Sequence, residues 1–470
     1  MGKYEKFLTI IITAISVLGV FSFFDKVLAV SAILCVFLAA VTLLFLSKTK
    51  IGTKEIYTLF FIVFLLHIAA ALFIYYAHFQ PFADGSGDFV EYNYNAQKVA
   101  ERLNAGNFSL AGLQGLYYPI TSSSQYFAVL IGYIYAFTIP NMLIGQLFNA
   151  WLAALIALLS YLIVIEISGS KNGAFLVGII VALYPSLLFF GSLLLKDALI
   201  AFLSLCGVLL IIKLIKNFRY SIFALFYLLS GAVLHFRFYI GYAVIFTFLI
   251  CWSLFSNLNF KKRIIYILLA VFLFGFLPQI FVLGDAGYWG NNLFRQYLNQ
   301  KTISYYRQTA YAPDTSKTDT SKTDTSKTDT SGSTFDIDTN FSNPVAFIKG
   351  YAISFIYAVL SPFPWQIKYK RQLFSLIEII PWYILLFFIT KGIIKNIKRY
   401  YKVFSPLMLF SLIILGNIAL FINNFGIITR IRIPAFICLL CFLPFGSIDK
   451  NIIYDYFKKI YINLKKWRQK

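Results

Sequence analysis

The chain has 470 residues, 60% of them apolar and 13% charged, with a mean hydropathy of +0.76. A soluble protein of this length could not hide so much apolar surface, which excludes the soluble globular classes. The net charge of +22 would suggest nucleic acid in a soluble protein; here the lysines sit in short loops beside apolar runs, where the positive-inside bias and anionic lipid account for them, so nucleic acid is excluded as a partner.

A membrane span needs about 20 apolar residues, and lipid leaves helix as the default because it offers the backbone no partners. MGKYEK leads into a long apolar run without a small-residue cleavage pattern, so it is read as an uncleaved first helix. Hydropathy predicts spans at 7–24, 27–46, 57–77, 142–165, 172–195, 198–214, 220–236, 238–256, 263–283, 376–394, 403–422 and 431–447. Charge decides two ambiguous runs, 124–139 and 346–363. If neither crosses, Lys171, Lys213, Lys216, Arg219, Lys261, Lys262, Arg263, Lys391, Lys395, Lys398, Arg399 and Lys402 all fall inside. The reading is an all-α polytopic membrane protein with about twelve transmembrane helices. Both termini are cytoplasmic, in the plasma membrane, and juxtamembrane helices lie in the first large outer loop.

Four regions follow. Residues 1–56 hold two N-terminal spans. Residues 57–283 form a transmembrane core with the outer loop 78–141. Residues 284–375 form a second outer loop with a DTSKT repeat over 314–331 and a juxtamembrane segment over 346–365. Residues 376–470 hold the last spans and a basic tail. The repeat is polar and charge-balanced, too poor in apolar residues to order itself. All five cysteines lie in apolar runs; Cys438 and Cys441 make one CxxC, too little for structural zinc.

Outer-face charges are few, so each is informative. Asp88 and Glu91 open a short amphipathic helix, with Tyr92, Ala96, Val99, Ala100 and Leu103 at helical spacing. As N-cap and N3, Asp88 and Glu91 would form a capping box. Asp84 lies in an Asp-Gly turn context. Lys196 and Asp197 form a charged pair at a span junction, which is costly to bury and often functional; the alternative is a capping Asp with a snorkelling Lys. Arg237, Arg430 and Arg432 run against the positive-inside trend. They are candidates for a phosphate, or for ion pairs with an outer carboxylate such as Glu378.

GDFVEYNYNAQKVAERLNAG, YYPITSSSQYFAVLIGYIYAF and the run from LFNAWLAAL to YPSLLFFGSLLLKDAL resemble the membrane-embedded C-type (GT-C) glycosyltransferases. These include the protein O-mannosyltransferases and the lipid A aminoarabinose transferase. Asp88, Tyr92 and Ala96 match the first outer-loop pattern; Tyr184, Pro185 and Asp197 match a later one. The chain departs in carrying two extra spans ahead of that loop and Asp-Phe-Val-Glu in place of Asp-Glu.

The resemblance implies an inverting transfer of a hexose or pentose from a polyprenyl-phosphate carrier to a glycan, lipid or protein acceptor at the outer face. Asp88, Asp197 and Glu91 form the expected catalytic set, with Asp88 the base. Lys196, Arg237, Arg430 and Arg432 would hold the carrier phosphate, and Tyr92 and Asp84 would face acceptor or sugar. No cofactor is expected for a monophosphate carrier; a diphosphate would call for a divalent metal. Two other classes fit the composition: an O-antigen-type polymerase or ligase, which would place its main loop late, and a transporter, which the scarcity of ionisable residues inside the spans disfavours.

Overall fold

A computed structural model describes residues 25–48, 52–79, 87–109, 122–275, 302, 303, 307, 335, 343–367 and 370–446. The predicted span 7–24, the end of the span 263–283, Asp84, the DTSKT repeat and the basic tail lie outside the described residues. The described elements are helical, as expected for an all-α membrane protein. Among the described residues, six helices are long and apolar enough to cross a membrane, or seven if one bent pair counts as a span.

The chain divides into two compact units, Met1–Leu158 with Ala182–Phe202, and Leu159–Val181 with Leu203–Lys470. In the first unit, α1 (Lys26–Lys48) and α2 (Lys54–Tyr76) are joined end to end by Tyr76, whose hydroxyl donates to Asp25 at 2.6 Å. The next elements are α3 (Asp88–Asn104), α4 (Ser122–Phe137) and α5 (Met142–Ser168). Helix α5 packs on α2 through Ala71, Leu143 and Leu147. It is tied to α1 by Trp151 Nε1, which donates to Thr42 Oγ1 at 2.8 Å.

The predicted span 172–195 is corrected by the structure. It is two short helices, α6 (Lys171–Ala182) and α7 (Pro185–Phe190), followed by a non-helical turn into α8 (Asp197–Lys216). Pro185 sits in the first turn of α7, where its missing N–H costs nothing and its ring stops α6 from continuing.

The second unit continues with α9 (Tyr220–Phe236), α10 (Phe238–Phe255), α11 (Phe260–Gly275) and α12 (Pro344–Leu360). Then come α13 (Leu376–Phe421), α14 (Phe425–Ile431) and α15 (Ile433–Leu440). The chain bends by 52° between α14 and the segment Ile433–Gly446 that follows, which covers the run expected as a span over 431–447.

Helix α13 has 46 residues, about 69 Å if straight. It is not straight. Phe436 stacks on Trp382 with ring centroids 3.7 Å apart. Its neighbour Ala435 accepts from Ser411 Oγ at 3.1 Å. Trp382 and Ser411 would be separated by about 43 Å along a straight helix. The element therefore doubles back into two arms, and the fold-back lies between Gly392 and Phe404, which both pack on the segment 442–446. These arms cover the residues of the predicted runs 376–394 and 403–422, with the basic residues Lys395, Lys398, Arg399 and Lys402 at the bend.

The basic turns of this unit share one end. Lys216 Nζ pairs with Glu166 Oε1 at 2.8 Å. Asn257 Nδ2 donates to the Lys216 carbonyl, and Lys402 Nζ donates to Asn257 Oδ1. Arg263 caps the end of α10 by donating to the carbonyls of Ser253 and Ser256. Such clustering is what a positive-inside arrangement requires of loops far apart in sequence. Arg237 lies at the opposite end of the α9–α10 hairpin.

Candidate functional site

Helix α3 carries Asp88 on its first turn. Gly87, with φ +145°, takes the N-cap position, and its carbonyl accepts from Val90 N at 3.0 Å. Asp88 is thus the first helical residue, and the expected capping box with Asp88 as cap is not formed. Glycine is needed there because that φ strains any residue with a Cβ. A carboxylate at the first position still profits from the helix dipole. Asp88 and Glu91 are exposed, whereas Tyr92, Asn95, Ala96, Val99, Ala100 and Leu103 are buried.

That buried stripe fixes α3 on α4. Tyr92 meets Phe127 edge-on at 5.2 Å. Tyr135 donates its hydroxyl proton to Asn93 Oδ1 at 2.8 Å. Gly132 lets the helices close up: a Cβ there would overlap the Val99 side chain and lie 3.0 Å from the Ala96 carbonyl oxygen. Helix α4 has 16 residues, about 24 Å of rise, short of the roughly 30 Å that a bilayer core demands. It serves as the platform for the amphipathic α3.

The turn between α7 and α8 presents Lys196 and Asp197, which are 7% and 5% exposed. Asp197 begins α8, and the Lys196 carbonyl accepts from Ile200 N at 3.0 Å. The turn is pressed along one ridge of α5. At Gly145 a Cβ would overlap Leu194 Cδ1. One turn on, the fully buried Asn149 donates from Nδ2 to the carbonyls of Leu193 (2.6 Å) and Leu195 (2.7 Å). At the third position, the Ala153 Cβ lies 3.2 Å from where a Cβ on Gly191 would be. Positions 145, 149 and 153 recur every four residues, the spacing of one helix face. Buried carbonyls of a non-helical segment need donors, and Asn149 supplies one to each of two.

In the second unit, Arg237 is half-buried between α9 and α10, with its guanidinium 5.7 Å from the Tyr239 ring centroid. Close packing of these helices is set by Gly241, where a Cβ would lie 2.7 Å from Leu234 Cγ. Arg430 is half-buried on α14, whose N-terminus is capped by Asn424 Oδ1 accepting from Gly426 N and Ile427 N.

Arg432, expected among the phosphate cations, is instead fully buried. Its Nη2 pairs with Glu378 Oε1 at 2.8 Å, its Nη1 donates to the Ser361 carbonyl at 2.6 Å, and its guanidinium lies 4.5 Å from the Phe436 ring centroid. This is the ion-pair alternative, and it turns the guanidinium inward to join α12, α13 and α15. Sequence reasoning also missed the buried Arg307, which donates to Ser354 Oγ and the Ala419 carbonyl. Asn149 escaped it too, as a single polar residue in an apolar run.

The structure brings Asp88, Glu91 and Tyr92 together on α3, and Lys196 and Asp197 together at the start of α8. Arg430 is half-buried, whereas Arg432 is fully buried in its pair with Glu378. Among the described residues no group of three or more His, Cys, Asp or Glu side chains is arranged to hold a metal ion.

No curated protein matches the chain. Residues 99–284 match the family profile described as dolichyl-phosphate-mannose-protein mannosyltransferase. That stretch contains Asn149, Lys196, Asp197 and Arg237, begins after Asp88, and ends before Arg430. Over those residues, fewer than half of the chain, it is similar to the protein mannosyltransferases, a family of membrane-embedded C-type glycosyltransferases; Tyr184, Pro185 and Asp197 lie inside the match, and Asp88, Tyr92 and Ala96 lie before it.

Proposed function

We propose that this chain is a glycosyltransferase that moves a sugar from a polyprenyl-phosphate carrier to a hydroxyl acceptor at the outer face of the membrane. The observation that carries the reading is the buried Lys196–Asp197 pair held at the head of α8, inside the stretch that matches the mannosyltransferase family. A protein hydroxyl is the favoured acceptor, because the family's name specifies protein.

Asp88 takes the proton from the acceptor hydroxyl as its oxygen bonds to the anomeric carbon. The bond from that carbon to the carrier phosphate breaks, and the phosphate leaves with the electron pair. With no enzyme carboxylate bonding to carbon, configuration inverts. Lys196 neutralises the departing phosphate, and Asp197 orients Lys196 or the acceptor. In the second unit, Arg237 and Arg430 have the guanidinium chemistry that suits a phosphate. Arg432 is left out of this set because Glu378 already engages it. Side-chain cations suffice for a monophosphate; a diphosphate carrier would add a divalent metal.

The test is reconstitution of the purified chain in liposomes with polyprenyl-phosphate-linked mannose and a Ser/Thr-rich peptide. Mannosylated peptide is the expected product. Consumption of only lipid-diphosphate-linked oligosaccharide would instead support the polymerase reading, and uptake without transfer would support a transporter.

A further inference from the structure

We infer that Asn149 is a positioning residue for the Lys196–Asp197 pair, acting as a two-pronged clamp on the chain that leads into them. The inference rests on the proposed function for its kinetic consequence, but not for its geometry. Contacts at Gly145, Asn149 and Ala153 seat the turn on α5, and the one at Asn149 is polar. The outer two, at Gly145 and Ala153, are close approaches of apolar groups that fix distance and leave the turn free to slide. The Asn149 amide removes that freedom, because one –NH2 group satisfies the carbonyls of Leu193 and Leu195 at once.

Those carbonyls are two residues apart, and Leu195 N itself donates back to the Leu193 carbonyl at 2.9 Å. The strand of chain is thus curled about the Asn149 amide. Lys196 is the next residue, and Asp197 starts the helix after it. A shift of the curl therefore passes directly to both charged side chains. The side chains of Ser192, Leu193 and Leu194 cannot replace the amide: the two leucines are apolar, and Ser192 Oγ already donates to the Leu188 carbonyl at 2.7 Å. An asparagine at this depth is otherwise costly, since its own carbonyl oxygen, Oδ1, has no hydrogen-bond partner. The clamp is what that cost sustains.

The variant Asn149→Leu keeps the volume and removes the donors; Asn149→Ala, which adds no bulk, serves if the first does not fold. Two readouts are needed. Hydrogen exchange of the backbone amides of residues 193–199 should quicken by about tenfold or more, while that of α3 stays unchanged. In the transfer assay kcat should fall about 10- to 100-fold, the scale of a misplaced catalytic group. In the Asp197→Asn background the same change should cost little more, since both act through one pair. Unchanged exchange at 193–199, or losses that multiply in the double variant, would overturn the clamp. Absence of transfer by the wild-type chain would instead remove the proposed activity, and the exchange result alone would then decide the clamp.

Discussion

Arg432 and Glu378 form an ion pair sealed inside the second unit, 2.8 Å apart, with side chains 0% and 6% exposed. The arginine joins three elements at once, because the Ser361 carbonyl takes a second hydrogen bond and the Phe436 ring covers the guanidinium face. A buried pair is weak evidence for net stability, but breaking it leaves one charge stranded. Arg432→Met should therefore destabilise the protein by about 3–5 kcal/mol. Arg432→Met with Glu378→Met should recover most of that loss. Thermal unfolding in detergent reads both, and a double variant no better than the single would refute the pairing argument.

Gly132 holds α3 against α4, and with it the helix that carries Asp88. Any side chain there meets Val99. Gly132→Leu should cost about 1–3 kcal/mol by overpacking. Transfer should fall with it, because α3 has to lift. Gly132→Ala combined with Val99→Ala should be far milder, since the opposing methyls are gone. Melting and initial rates of the two variants, compared side by side, check the close approach.

The DTSKT tract of 314–331 is flanked by two docked residues. Arg307 bonds Ser354 and Ala419, and Phe335 N donates to the Asn423 carbonyl at 3.1 Å with its ring 4.3 Å from that of Tyr357. Deleting 314–331 leaves roughly nine linking residues, which reach about 30 Å. The shortened chain should fold and transfer like the parent, as loop length costs little. Loss of transfer in a protein that still melts normally would give the late loop the main role, as a polymerase requires.

Asp25 caps α1 by accepting from Val27 N and Leu28 N, and it accepts from the Tyr76 hydroxyl. The Tyr76 bond chiefly holds its carboxyl below the usual range, helped by the two backbone donors and opposed by desolvation. A depressed pKa means the stabilisation is complete above the unfolded value of about 3.9 and disappears as pH falls through the folded one. The α1–α2 contact should thus hold from neutral pH down to about 4 and loosen below it. Tyr76→Phe should move that loosening upward in pH. Tyrosine fluorescence over an acid titration of both proteins checks the sign; a midpoint that stays put would contradict it.

The sequence disclosed what depends on composition and local spacing. The arms of α13 were legible because a basic cluster, Lys391 to Lys402, interrupts two apolar runs, and charge does not stay in lipid. The stripe Tyr92, Ala96, Val99 and Leu103 revealed the buried face of α3. What stayed hidden depends on distant partners. Arg430 and Arg432 stand two residues apart with the same chemistry, and only Glu378, on another helix, tells them apart. Asn149 looks like any polar residue in an apolar helix until the carbonyls of Leu193 and Leu195 arrive beside it. Pro185 signalled a break in the 172–195 run, but hydropathy averaged over a whole window concealed it.

The most direct test of the central claim is transfer by Asp88→Asn, with the purified protein in liposomes and polyprenyl-phosphate-linked mannose as donor. Asparagine keeps the shape of the side chain and cannot take the acceptor's proton. Unchanged melting and a rate lower by about 10²- to 10⁴-fold, the range of general base catalysis, are expected. A fully active Asp88→Asn protein would contradict that claim.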